Sequence, residues 1–419
     1  MRRIVVEGGR RLSGEVQIGG SKNAALPILF AGILTGGKCL FVNLPRVSDV
    51  LCALEILRFL GARISFLKSG EVSVDYSGVR CGCPPVALTS AIRGSTYLLG
   101  AMLARFGEAR LGGVGGCDFG SRPIDQHLLG FERMGAREAS QGEMLILKAE
   151  GGMQGAEITL AMPSVGATAN LMMAAVLAKG ETVIFNAAAE PHVTALADFL
   201  ISAGAKIRGV GSSTVCIEGV KCLNGVRNVI IPDMIEAGTY LALGLACTGP
   251  VRVRGVEPSH LGSVLDSFRT MGAQVEVGQG WIMTASPGKY RSTEIVTGPF
   301  PAFPTDLHPQ LGALFCLENR ACGMGRIDEL VWEARFGYVK GLCAMGAKIK
   351  TDGKRAEFYP SCLHAERVSA PDLRGGAALL IAALATPGRS EILNAFTIGR
   401  GYEHLEDKLS ALGARIKVY

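Results

Sequence analysis

At 419 residues the chain is too long for one ordinary core, and two domains of ~200 residues follow. Hydrophobic residues make up 48% and charged residues 19%, with a formal net charge of +6 and no long basic run. That composition excludes a disordered chain and gives no reason to expect nucleic acid, but a site for a multiply anionic small molecule would suit it.

The chain opens Met1-Arg2-Arg3-Ile4-Val5-Val6-Glu7, a charged start with no signal-peptide apolar core, so a cytoplasmic protein is expected. No uninterrupted apolar run reaches the ~18–20 residues a bilayer span needs, and membrane insertion is not expected. Strand-like patterns over 3–8 and 15–18 lead into an apolar, Ala-rich helix over 24–34. Matched apolar helices follow over 95–105, 167–178, 238–247, 310–317 and 376–385. Such uniformly apolar stretches read as helices buried on most of their circumference.

Between them runs a second repeat. A hydrophobic-Gly-Ala step recurs at Leu60-Gly61-Ala62, Met134-Gly135-Ala136, Ala203-Gly204-Ala205, Met271-Gly272-Ala273, Met345-Gly346-Ala347 and Leu412-Gly413-Ala414. The steps lie ~70 residues apart, mostly after helical periodicity and always before a short strand-like run. Glycine there reads as a helix C-cap that releases the chain into a strand. The pattern predicts an α/β chain of six units, three per domain. The N-terminal strands precede the first helix, so they are expected to be traded into the C-terminal half. A chain crossing twice makes a hinge, with the site in the cleft.

The starts of the apolar helices differ between halves. The first three carry Ser21-Lys22-Asn23, Arg93-Gly94-Ser95 and Ser164-Val165-Gly166; the last three carry Pro232-Asp233, Pro304-Thr305-Asp306 and Pro371-Asp372. Aspartate at such a place is as readily a helix cap as a chemical group. Lys22 and Arg93 are less ordinary, because a cation beside a helix N-terminus is unfavourable unless an anion sits there. Between the second and third helices, Leu111-Gly112-Gly113-Val114-Gly115-Gly116-Cys117 runs into Gly120-Ser121-Arg122-Pro123-Ile124-Asp125-Gln126-His127. So many glycines predict a mobile loop carrying Cys117 near Arg122 and a helix N-terminus, both of which favour the thiolate. The other eleven cysteines are scattered with no CxxC pair, and no HExxH pattern occurs. No metal or cofactor is expected. Downstream, Arg335 and Arg400 sit among apolar or glycine neighbours; each suits either an anion or a salt bridge.

These residues carry a resemblance that runs essentially end to end. Gly20-Ser21-Lys22-Asn23-Ala24-Ala25-Leu26-Pro27, the Cys117 loop through Asp125, Pro163-Ser164-Val165-Gly166-Ala167-Thr168, Pro301-Ala302-Phe303-Pro304-Thr305-Asp306, Asp372-Leu373-Arg374 and Arg400-Gly401-Tyr402-Glu403 resemble the enolpyruvyl transferases that act on UDP-N-acetylglucosamine. The resemblance implies two inside-out α/β barrel domains built from six βαβαββ-type repeats, helices buried and sheets outward. It implies an N-terminal domain over 22–231 carrying the cysteine loop, and a C-terminal domain of 1–21 plus 232–419.

It also implies roles. Lys22, Arg122 and Arg400 hold the phosphate and carboxylate of phosphoenolpyruvate. Asn23, Arg93, Arg122, Pro123, Ile124, Asp125, Gln126, Ser164, Val165, Gly166, Asp306, Val331 and Arg335 bind substrate. Cys117 is the general acid at C3 and the residue fosfomycin alkylates; Asp306 takes the proton of the sugar 3-hydroxyl, and Asp372 assists proton movement at C3. The reaction implied is the first committed step of peptidoglycan precursor synthesis, with phosphoenolpyruvate and UDP-N-acetylglucosamine as its partners. Gly399 stands where family members commonly carry an acidic residue, and Met162-Pro163 where some carry a lysine. Transfer to another acceptor, and a silent nucleotide-sugar-binding homologue, remain alternatives.

Overall fold

The six Gly-Ala steps are the punctuation of the fold. In a computed structural model describing residues 3–113, 124–140, 142 and 144–419, each step glycine has positive φ, from +90° at Gly135 to +111° at Gly204. Each also makes the same paired closure. Gly61 donates its N–H to the Arg58 carbonyl while Ala62 donates to that of Leu57, and the other five repeat this pattern. That is the Schellman arrangement, which satisfies carbonyls the helix end would otherwise leave bare. In the first five steps the following alanine leads into a strand that forms a hairpin with the next one, as Arg63–Phe66 does with Val72–Asp75, and after the sixth the strand Arg415–Val418 pairs with Ile4–Gly8.

Five sheets share one four-stranded plan: a parallel pair, then two antiparallel neighbours. In one, Arg227–Val229 runs parallel to Lys38–Val42, which pairs antiparallel with Val72–Asp75. In another, Ile4–Gly8 lies between Gly388–Leu393 and Arg415–Val418, antiparallel to both. A further sheet shows three strands among the described residues, Glu108–Gly112, Met144–Lys148 and Arg137–Glu138, and Tyr290–Arg291 pairs parallel with Ala321–Cys322. Strand Gly14–Gln17 runs parallel to Val251–Arg254.

The chain divides into two units, one of residues 20–113 and 124–231, the other of 3–19 and Pro232–Tyr419. Each has its own hydrophobic core. The first core is centred on helices α1 (Lys22–Ala31), α2 (Leu98–Phe106) and α3 (Val165–Ala175). The second is centred on α4 (Met234–Ala246), α5 (His308–Phe315) and α6 (Leu373–Ala385). Along α4 every residue from Ile235 to Ala246 is buried, and along α6 every residue from Leu373 to Leu384. No polar face survives, which explains why these stretches read as apolar all round. Small residues let the helices approach closely. Gly100 donates its N–H to Asn170 Oδ1 at 2.9 Å, and a Cβ on Gly100 would overlap the Asn170 carbonyl oxygen. Among the described residues no helix is long and apolar enough to cross a membrane.

Candidate active site

In the first unit the candidate cations and hydroxyls gather at helix starts. Ser21 caps α1, its hydroxyl accepting from Ala24 N–H at 3.3 Å. Lys22 and Asn23 are the first two helical residues, both half-buried. Lys22 Nζ lies 3.2 Å from Asp49 Oδ2, on the first turn of the helix Ser48–Phe59. Ser164 caps α3 in the same way, accepting from Ala167 N–H at 3.3 Å. Arg93 begins a 3-10 turn, Arg93–Tyr97, that feeds α2.

The helix Asp125–Arg133, entered from Ile124, brings Gln126 and His127 beside the start of α3. Gln126 Oε1 accepts from Met162 N–H at 3.4 Å. The His127 ring lies so near Gly166 that a Cβ there would stand 2.9 Å from Nε2. Burial and then the positive charge of Arg93 push the His127 pKa down to about 4, with Asp125 opposing. This imidazole is therefore neutral near pH 7. Arg93, Gln126, His127, Ser164, Val165 and Gly166 thus form one patch, where half-buried Arg93 supplies the positive charge and the α3 N-terminus adds its own. Cys117, Arg122 and Pro123 lie outside the described residues.

In the second unit the three aspartates separate into two kinds. Asp233 caps α4 through bonds from Ile235 and Glu236 N–H at 2.8 and 3.0 Å. Asp372 caps α6 through bonds from Arg374 and Gly375 N–H at 2.9 and 3.0 Å. Asp306 is not a cap. It stands on the turn before α5, and two buried arginines hold its carboxylate. Arg335 Nη2 donates to Oδ1 at 2.7 Å, and Arg374 Nε donates to Oδ2 at 3.1 Å.

The arginines are 1% and 2% exposed, while Asp306 keeps 28%. The carboxylate is therefore partly exposed, with fixed positive charge behind it. Burial works against the Arg374 charge, yet Asp306, with smaller help from Tyr402 and Asp233, carries its pKa upward. Arg335 Nη1 also lies 3.9 Å from Asp372 Oδ1, so Asp306, Arg335, Arg374 and Asp372 form one cluster.

Val331 is half-buried, and its N–H donates to Glu329 Oε1 at 2.8 Å. Arg400 ends the 3-10 turn Ala395–Arg400 and is half-buried. The next residue, Gly401, packs against Leu373 and Arg374, where a Cβ would meet Leu373 at 2.8 Å. A Cβ on Gly399 would meet nothing within 4 Å, so a side chain at that position has room.

Two members of these clusters, Asp49 and Glu329, do not stand out in the sequence, and Arg374 enters only within the Asp372-Leu373-Arg374 motif, with no role of its own. Arg374 carried a usable signal, since it is a cation in the first turn of a helix, as Lys22 is. Asp49 and Glu329 carried none.

The family model for EPSP synthase (3-phosphoshikimate 1-carboxyvinyltransferase) matches residues 6–409. UDP-N-acetylglucosamine 1-carboxyvinyltransferase 2 of Carboxydothermus hydrogenoformans is 43% identical, covering 100% of this chain and 99% of that relative. UDP-N-acetylglucosamine 1-carboxyvinyltransferase 3 of Caldanaerobacter subterraneus is 42% identical, covering 99% of each. The crystal structure of the enolpyruvyl transferase NikO from Streptomyces tendae superposes with a TM-score of 0.89 at 27% identity, over 100% of this chain and 98% of that one. EPSP synthase from Acinetobacter baumannii shares the fold, with a TM-score of 0.74 at 18% identity over the whole of both chains. With a match along almost its whole length and full-length relatives at this identity, the chain belongs to the EPSP synthase family of enolpyruvyl transferases.

Proposed function

We propose that this enzyme transfers the enolpyruvyl group of phosphoenolpyruvate to the 3-hydroxyl of UDP-N-acetylglucosamine, releasing phosphate. The observation that carries the acceptor is the full-length likeness to proteins named for that reaction. On this reading the enzyme works in the cytoplasm at the first committed step of peptidoglycan precursor synthesis. It thereby serves cell shape and division, and it is a target of fosfomycin.

The chemistry asks for three things, and the residues supply them. Charge develops at C2 beside a carboxylate and a phosphate, so fixed cations are needed; Lys22, Arg122 and Arg400 take that role. The attacking hydroxyl must lose a proton, and Asp306, a carboxylate that keeps 28% of its side chain exposed, takes it. As the O3–C2 bond forms, the C2=C3 electron pair takes a proton at C3, supplied by Cys117. C3 then loses a proton with help from Asp372, the C2–O bond to phosphate breaks, and the double bond returns. The patch of Asn23, Arg93, Ile124, Asp125, Gln126, Ser164, Val165 and Gly166, together with Pro123 and Val331, binds the nucleotide sugar; Arg335 holds Asp306.

The test is phosphate release from phosphoenolpyruvate with and without UDP-N-acetylglucosamine. Release that depends strictly on the nucleotide sugar is expected. Release only with a different hydroxyl acceptor, or tight binding without release, overturns the proposal. Cys117→Asp is expected to keep turnover and resist fosfomycin; wild-type turnover by Cys117→Ala would remove Cys117 as the acid.

A further inference from the structure

We infer that Glu329 is the positioning residue that sets the Asp306 carboxylate and the Val331 segment in register with each other. Glu329 follows the strand Gly325–Asp328 and is fully buried. A buried carboxylate persists only where its lone pairs are met, and the partners of this one lie on two segments, one on each oxygen. Oε1 accepts from the N–H groups of Val331 and Trp332, both at 2.8 Å. Oε2 accepts from the Thr305 hydroxyl at 2.9 Å, and His308 Nε2 lies 3.4 Å from the same oxygen. His308 is held neutral, first by burial and then by Arg335, and its Nδ1 is 3.2 Å from the Tyr338 hydroxyl.

The two oxygens face different parts of the site. Oε2 grips Thr305, the residue immediately before Asp306, while His308 Nε2 at the start of α5 stands near it without a hydrogen bond. Oε1 grips the turn that presents Val331 and leads to Arg335, the donor to Asp306 Oδ1. One carboxylate therefore fixes both the backbone that carries Asp306 and the segment that carries its partner. Displacement of a reacting group by about 1 Å can cost a hundredfold in rate, so a staple at this point acts on turnover without touching substrate.

The inference rests on the proposed transfer to the nucleotide sugar, and the two oxygens allow the two parts to be tested apart. Glu329→Gln keeps an acceptor for the Val331 and Trp332 amides but turns a donor toward Thr305. That reverses the Thr305 hydroxyl from donor to acceptor, whereas Thr305→Val removes the contact outright. Both are expected to lower kcat about tenfold while KM for UDP-N-acetylglucosamine stays within about twofold. Glu329→Ala loses both grips and is expected to raise that KM about fivefold as well.

A lower melting temperature with kcat and KM unchanged in Glu329→Gln and Thr305→Val overturns the inference, whether or not Glu329→Ala folds. If the wild-type enzyme releases no phosphate with this acceptor, the proposed function fails instead. Calorimetric binding of UDP-N-acetylglucosamine then decides the Val331 arm: weaker binding by Glu329→Ala supports it, and equal binding overturns it.

Discussion

Asp49 supplies the negative charge that lets Lys22 stand as the first residue of α1. Its Oδ2 is 3.2 Å from Lys22 Nζ, with side chains 6% and 13% exposed. An ammonium there works against the helix dipole, and a buried carboxylate offsets it. Removing one partner of such a pair leaves an uncompensated buried charge, which costs about 3 kcal/mol or more. Asp49→Asn is therefore expected to lower thermal stability and, on the proposed role of Lys22, to raise KM for phosphoenolpyruvate. Melting curves and a phosphoenolpyruvate titration check this. An unchanged KM would separate Lys22 from phosphate binding.

The Gly-Ala closures lend themselves to a paired comparison. At Gly272 φ is +91° and a Cβ would meet nothing within 4 Å, so Gly272→Ala reports backbone strain alone. The left-handed region costs an L-residue about 1–2 kcal/mol, which is the loss expected there. At Gly61 φ is +106° and a Cβ would also overlap the Gly78 carbonyl oxygen, which belongs to backbone and cannot swing away. Gly61→Ala is expected to lose clearly more. Urea unfolding midpoints of the two variants measure the difference, and equal losses would show that strain alone sets the cost.

The same closures explain what was legible in the sequence. A Schellman turn is a local device, so its glycine and following alanine stand side by side in the chain and repeat visibly. The apolar helices were equally plain, because burial on every side removes polar residues altogether. Their starts were less so. The last helix reads as beginning at Gly376, yet it begins at Leu373, since Asp372 caps through its side chain and Arg374 looks like surface charge until its partner is known.

The site followed the same rule. Residues at helix starts announced themselves, whereas the groups that hold them did not. Asp49 is 27 positions from Lys22, Thr305 is 24 from Glu329, and Arg374 is 68 from Asp306. Such pairings depend on how the repeats pack and leave no local trace. Asp372 could be read from sequence as cap or as chemistry, and its Oδ1 is engaged in capping.

His127 gives the molecule an acid limb of known sign. Its pKa is about 4 in the folded protein, lowered by burial and then by Arg93. An unfolded chain takes up that proton near pH 6.5, so between roughly pH 6.5 and 4 the unfolded state binds more protons and stability falls as pH falls. The full loss is about 3 kcal/mol. His308, also depressed by burial and then by Arg335, adds a slope of the same sign. His127→Gln is expected to flatten the fall in melting temperature across that window while leaving the pH 8 value much less affected. An unaltered slope would mean that His127 is not held neutral.

Asp306 is held by charge on two sides, and that separates its structural role from its chemical one. Asp306→Asn leaves Arg335 and Arg374, which are 1% and 2% exposed, facing a neutral amide. A buried charge robbed of its partner costs about 3–5 kcal/mol, so this variant is expected to be markedly less stable. Turnover is expected to fall by about 100-fold or more, because the amide cannot take the hydroxyl proton. Stability loss alone could mimic part of that fall.

The double variant Asp306→Asn with Arg374→Met removes one orphaned guanidinium and replaces it with an apolar chain of similar length. Removing both members of a buried pair is far less costly than removing one, so part of the stability should return. Turnover should not, since the proton acceptor is still missing. If activity returned together with stability, Asp306 would be a structural counter-ion for its two arginines, and the base in this reaction would have to be sought elsewhere.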